Sequence, residues 1–179
     1  RFWIFGDSGI CTTVQNSVRE SMLTYTAANP PIPDLFLHAG DVVQVSGTDS
    51  EYTNCLFPYY AGVMRHTPFI PAMGNHDSYS TSCSEAPAGC TGPFFSTFVR
   101  PANGEMGGVA SNTNAYFSWD YGNAHFIVLN GTNVSRSSSG PMATWLRADL
   151  AATTQQWVIV YFHQTPYTKG THDSDTEGD

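Results

Sequence analysis

Four short apolar runs in this chain each end on a residue that can bind a cation or move a proton. Phe2-Trp3-Ile4-Phe5 leads into Gly6-Asp7, and Leu35-Phe36-Leu37-His38-Ala39 into Gly40-Asp41. The stretch from Thr67 to Met73 ends in Gly74-Asn75-His76-Asp77, and Trp157-Val158-Ile159-Val160-Tyr161-Phe162 ends in His163. Carboxylates, an amide oxygen and imidazoles offered together without thiolates suit hard or borderline ions such as Mn, Fe, Zn or Mg. Two such ions about 3.5 to 4 Å apart can share one carboxylate, hold two oxygens of a phosphate ester and turn a bridging water into hydroxide.

For these groups to meet, the four runs must be strands whose C-terminal ends open on one crevice, the place where α/β sheets gather binding and catalysis. The intervening pattern supplies the connections. Thr12 or Thr13 caps a helix with apolar residues Val14, Val18 and Met22 at every fourth position, stopped by Asn29 and Pro30-Pro31. The second strand, Asp34 to Ala39, then forms a parallel β-α-β unit with a right-handed crossover. A further helix spans Ser50 to Met64, kinked or restarted at Pro58, and strand three is Phe69 to Met73. Residues 78 to 113 lose periodicity and form a long functional or mobile loop. Asn114 to Asp120 and Ala124 to Leu129 read as an antiparallel hairpin, so the sheet is mixed or there are two sheets. Gly140-Pro141 opens a helix carrying Met142, Trp145, Leu146 and Leu150, and the strand Trp157 to Phe162 returns to the site. The tail from Thr165 to Asp179 is polar, with no closing element. The expectation is a layered α/β fold in a single domain, residues 1–179, with Trp145 and Trp157 in the core.

With 7 Lys plus Arg against 15 Asp plus Glu, the net charge is -8, a poor match for nucleic acid. An anionic substrate would need local positive charge, which a metal supplies. No run of 18 apolar residues indicates a membrane span, and the abrupt start on a strand suggests processing or trimming. Cys83 and Cys90 bracket a short loop and read as a local disulfide, leaving Cys11 to pair with Cys55; the alternative is four free thiols. Low lysine content, many Ser, Thr and Asn, and the sequons at Asn130 and Asn133 fit a secreted, extracytoplasmic protein.

Gly6-Asp7-Ser8-Gly9, Gly40-Asp41, Gly74-Asn75-His76-Asp77 and Tyr161-Phe162-His163-Gln164-Thr165-Pro166-Tyr167 together resemble the first four ordered motifs of the calcineurin-like metallophosphoesterases. The purple acid phosphatase branch, with its Asp-x-Gly first motif, is nearest. The resemblance implies an α/β/β/α sandwich with mixed sheets and hydrolysis of phosphate esters at two metal ions, of Fe, Mn or Zn. Asp7 would be a ligand of the first ion and Asp41 the bridge, while Asn75 and His163 would hold the second. His76 would orient the phosphoryl oxygen or protonate the leaving group, a task suited to imidazole. Two departures stand out. No Gly-His-x-His sequence occurs, so the domain reads as partial; and Gln44 stands where the purple enzymes carry a tyrosine, so iron charge-transfer colour is not expected. Gln44 and His172 are the candidates for a substitute ligand or substrate contact.

Two other functions compete. Phe5-Gly6-Asp7-Ser8 also resembles the opening block of GDSL-type esterases, with Ser8 as nucleophile, but no Asp-x-x-His follows to supply the base. A secreted phosphatase-like binding module without catalysis is the third reading. His38 and His125, inside apolar strands, read as hydrogen-bonded core residues, and His66 as solvent-facing.

Overall fold

The computed structural model describes residues 1–84, 89–170 and 173–177. Strands β1 (Phe2–Phe5), β2 (Leu35–His38) and β3 (Phe69–Pro71) form a parallel sheet in that order. Helix α1 (Thr13–Ala28) makes the first crossover. The second consists of α2 (Asp49–Glu51), a π-helical turn (Tyr52–Leu56) and α3 (Phe57–Met64). Pro58 explains this break: it lacks an N–H and its ring crowds the carbonyl four residues back, so the helix widens before it and restarts with Pro58 in its first turn.

After α4 (Asn75–Ser78), the segment read as one long loop holds a small hairpin, β4 (Ser82–Cys83) with β5 (Cys90–Thr91), and α5 (Pro93–Thr97). The two disulfides are Cys83–Cys90, directly across that hairpin, and Cys11–Cys55. The second main sheet is β6 (Phe117–Tyr121), β7 (Ala124–Val128) and β8 (Trp157–Tyr161), antiparallel then parallel, with α6 (Pro141–Ala152) crossing between β7 and β8. A short helix, α7 (Ser174–Glu177), lies in the tail that was expected to have no element.

Strand alternation builds the layers. Leu35 and Leu37 face Phe117, Trp119, Phe126 and Val128 between the sheets, while Phe36 faces Tyr52, Leu56 and Tyr60 of the helical layer. On the outer side of the second sheet Ile127 meets Met142 and Trp145 of α6. The result is the α/β/β/α sandwich. Trp119 stacks on Phe126 across the β6–β7 pair, ring centroids 4.4 Å apart.

Three further expectations fail. Val14 and Val18 of α1 are 61% and 59% exposed, because the helix turns Gln15, Arg19, Met22 and Thr26 inward. Gln15 is buried, accepting from Cys11 N and donating to Cys55 O beside the disulfide that joins those residues. Trp157 is 60% exposed rather than core, since β8 is an edge strand; Ile4 of β1, the edge of the other sheet, is 47% exposed. Leu150 of α6 is exposed and Asp149 is buried in its place.

Asp149 is buried to hold His125. His125 Nε2 lies 2.8 Å from Asp149 Oδ2 and Nδ1 lies 2.6 Å from Asp120 Oδ1, while Asp149 Oδ1 accepts from Ser118 Oγ and Val109 N. Burial favours the neutral ring, but the two carboxylates outweigh it and raise the His125 pKa above the ordinary imidazole value. A raised value means stability fully present below the unfolded-state pKa, near 6.5, and lost as pH rises through the folded one. Thermal unfolding should therefore show stability declining from about pH 6 upward, a decline missing from His125→Gln. At about pH 6 that variant should lie on the order of 3 kcal/mol below the parent, since it takes the ionic partner from the buried Asp149 carboxylate; Asp120, partly exposed, adds little. A parent curve flat between pH 6 and 9 would contradict this.

Candidate metal centre

The C-terminal ends of β1, β2 and β3 sit side by side, tied by Ala39 N to Phe5 O at 2.7 Å, Asp7 N to Gly40 O at 3.1 Å and Ala72 N to His38 O at 2.7 Å. Immediately beyond, Asp7 and Asp41 take left-handed backbone angles, φ 54° and 52°. Non-glycine residues rarely adopt this conformation except at sites where the surrounding structure enforces it. The turn aims Asp41 inward: its Oδ1 accepts from His76 N at 2.9 Å, and its Oδ2 lies 3.3 Å from His163 Nε2 and 4.0 Å from His76 Nε2.

His163 arrives from the second sheet and packs against Gly40, where a Cβ would lie 2.6 Å from the His163 Cβ. Its Nδ1–H donates to Ala39 O at 3.1 Å, which leaves the Nε2 lone pair facing Asp41 Oδ2 and, at 3.1 Å, Asn75 Oδ1. Ligand atoms of Asp7, Asp41 and His163 all lie within 4.8 Å of one another. In the neutral ring this is a cluster of acceptors with no donor between them, which a cation satisfies. A histidine anchored through its other nitrogen to a backbone carbonyl is the usual arrangement of a metal ligand. The donor set therefore fits a divalent ion.

Electrostatics follow the same geometry. Burial pushes the Asp41 carboxyl up, but the His163 hydrogen bond, the His76 backbone N–H and the charges of both rings outweigh it and hold it below the usual carboxylate range. Burial lowers His163, yet its hydrogen bond and charge interaction with Asp41, the Ala39 carbonyl and Asp7 raise it above ordinary imidazole. Without a cation, a proton on His163 fills that role.

The structure thus brings Asp7, Asp41, Asn75, His76 and His163 together. His76 sits at the rim with Nδ1 3.4 Å from Val45 O and its ring edge-on to Tyr79. Gln44 turns back on its own loop, its Nε2 donating to Asp41 O at 3.4 Å, and so serves the Asp41 turn. His172 lies outside the described residues. His66 is exposed and His38 fully buried.

His38 has a role that its apolar setting concealed. Its Nδ1 accepts from Gly40 N at 3.2 Å, so Nε2 carries the proton and donates to Ser8 Oγ at 2.9 Å. Burial, then the His163 charge, lowers the His38 pKa to about 3, against the opposite pull of Asp41, so the ring stays neutral. A histidine that donates to a serine cannot take its proton, and Ser8 is itself buried. That removes the basis of the serine-esterase reading. Asp77, the last residue of its motif, points away from the site; burial pushes its pKa up to about 6 against the hydrogen bonds it accepts from Gly74, Val42, Tyr52 and Val43.

Comparison with solved structures gives a likeness to a purple acid phosphatase isolated from yellow lupin (Lupinus luteus) seeds, with TM-score 0.63 and 18% identity, covering 93% of this chain and 31% of that one. At that identity the likeness speaks for the fold, and this chain spans less than a third of the lupin protein's length. None of the curated proteins compared with the chain matches it. The calcineurin-like phosphoesterase family model matches residues 1–179, the full sequence, and the chain belongs to that family.

Proposed function

We propose that residues 1–179 form one partial metallophosphoesterase domain that binds metal and hydrolyses phosphate esters. The supporting observation is the acceptor-only convergence of Asp7, Asp41, Asn75 Oδ1 and His163 Nε2, with His163 locked through Nδ1 on Ala39 O. Asp41, Asn75 and His163 would hold one ion; Asp7 and Asp41 would contribute to a second. Bound ions would supply Lewis acidity toward the phosphoryl oxygens and lower the pKa of water. The residues do the rest. His76, at the open rim with Nε2 toward Asp41, would orient a phosphoryl oxygen or give a proton to the leaving-group oxygen. Asp41 stays ionised to well below neutral pH, and the Ala39 carbonyl keeps the His163 lone pair aimed inward.

Counting ligands limits the present chain. Three protein groups serve the Asn75 side and two serve the Asp7 side, so one firmly held ion and slow turnover are expected. A chain extended by a segment containing Gly-His-x-His should gain both stoichiometry and rate. The competing reading is a non-catalytic binding module, in which Asp41, Asn75 and His163 hold an ion without turnover. Calorimetric titration with Mn²⁺ or Zn²⁺, with hydrolysis of an aryl phosphate before and after chelation, separates the two. One bound ion with chelator-sensitive turnover is the expected result; one ion and no turnover favours the binding module, and no bound ion ends the proposal. Both disulfides suit an oxidising, extracytoplasmic compartment. Small phosphate esters are the proposed substrates, with nucleic acid disfavoured by the net charge of -8. No helix among the described residues is long and apolar enough to cross a membrane.

A further inference from the structure

Asp77 shares a motif with Asn75 and His76 but faces the interior, fully buried. Its carboxylate accepts four hydrogen bonds. Oδ2 takes Val42 N at 3.1 Å and Gly74 N at 3.0 Å; Oδ1 takes Val43 N at 3.3 Å and Tyr52 OH at 2.9 Å. Val42 and Val43 directly follow Asp41, and Gly74 directly precedes Asn75. One carboxylate therefore fastens the backbone next to two groups of the metal site that lie 34 residues apart in sequence. Because the direction of a peptide N–H is set by the residue before it, holding Val42 N fixes the turn that keeps Asp41 left-handed.

Tyr52 is delivered by the helix break described above. It opens the π-helical turn, whose wider ring pairs Phe57 N with Tyr52 O, and the same turn carries Cys55, fastened to Cys11 by the disulfide. The phenol is thus held from behind by a covalent link to the loop that follows Asp7.

We propose that Asp77, oriented by Tyr52, is a positioning residue that sets the separation of Asp41 from Asn75 and thereby the affinity of the site for a metal ion. The affinity part rests on the metal-centre reading given above. Only an ionised carboxylate offers enough acceptors for all four donors; an asparagine would turn an NH₂ group against N–H groups.

The test has two arms. In the metal-free chain, amide hydrogen exchange at Val42, Val43 and Gly74 should be slow, and about 100-fold faster in Asp77→Asn, with a smaller gain in Tyr52→Phe. In the second arm, Mn²⁺ affinity should fall roughly 10- to 100-fold in Asp77→Asn, less in Tyr52→Phe, and recover largely in Asp77→Glu, which keeps the charge. Ser118→Ala, which loses a buried hydrogen bond to Asp149 and none to a residue of the metal site, controls for general destabilisation and should leave Mn²⁺ affinity unchanged. Unchanged protection of the three amides in both variants overturns the proposal, as does a fall in affinity no larger than that of Ser118→Ala. Should Asp77→Asn not fold, Tyr52→Phe carries both arms alone. A parent chain that binds no Mn²⁺ overturns the metal reading and the affinity claim with it, while loss of amide protection would still support the clamp.

Discussion

Asp41→Asn should weaken metal binding at least about 100-fold, beyond the 10- to 100-fold typical of a supporting residue. Asparagine keeps the shape of the side chain and tolerates the left-handed backbone, so the fold is retained while the charge is lost. The lost charge is the one that faces His163 Nε2 and the His76 amide, and it is shared by both proposed ion positions. Stability should respond in a defined direction. Asp41 titrates below its ordinary value, so its contribution is present above the unfolded-state pKa, near 3.9, and lost as pH falls through the folded one. The metal-free variant should thus be less stable than the parent near pH 7, the gap narrowing as pH falls below the ordinary carboxylate range. In the parent, metal affinity should fall on acidification from above the ordinary imidazole range, because a proton on His163 competes for the same lone pair. Calorimetric titration and thermal unfolding at several pH values check all three points. Equal Mn²⁺ affinity in parent and variant would mean that Asp41 is no ligand.

Gly74→Ala should be more damaging to the fold than any surface change. Gly74 has ordinary extended angles, so the problem is space alone: a Cβ there would lie 2.1 Å from Asp41 Oδ1 and 2.2 Å from Asp41 N. Neither side can retreat, since the backbone of both loops is bonded to Asp77. Overpacking of this kind costs about 1 to 3 kcal/mol where neighbours can adjust, and the upper end or beyond is expected here. Gly62→Ala is the matching control of opposite sign. It lies in α3 with nothing within 4 Å of its Cβ, so up to about 1 kcal/mol should be gained. Urea unfolding of both variants is the measurement; equal midpoints would show that the two loops are looser than this packing implies.

The strand ends were legible because each of the four strands is written as an unbroken apolar run, whether buried like β2 or at a sheet edge like β8, and the polar residue that interrupts it stands out. Cys83–Cys90 was legible from its short loop, and Cys11–Cys55 followed by elimination. What sequence hid were contacts that obey no period. In α1 the visible valine stripe faces solvent, because a buried glutamine bridging the disulfide sets the inward face instead. Trp157 looked like core because exposure of an edge strand depends on what stands beside it, not on the strand's composition. The Ser8–His38 bond joins positions 30 residues apart, and Asp149 reaches His125 from a helix 24 residues on. Asp77 was visible as part of a motif, but the side of the loop it faces was not.

Asp7 and Asp41 are held in a backbone shape that costs an ordinary side chain roughly 1 to 2 kcal/mol and glycine almost nothing. Asp41 offsets that cost through its contacts with His76 N and His163, whereas at Asp7 backbone energy and chemistry want different letters. On the proposed reading, a lineage relieved of its reaction would be drawn by folding alone toward glycine at codon 7, gaining robustness as it lost a ligand. On that reading Asp7 is where decay of function would be written first, and where a screen that rewards heat resistance would quietly erase part of the site.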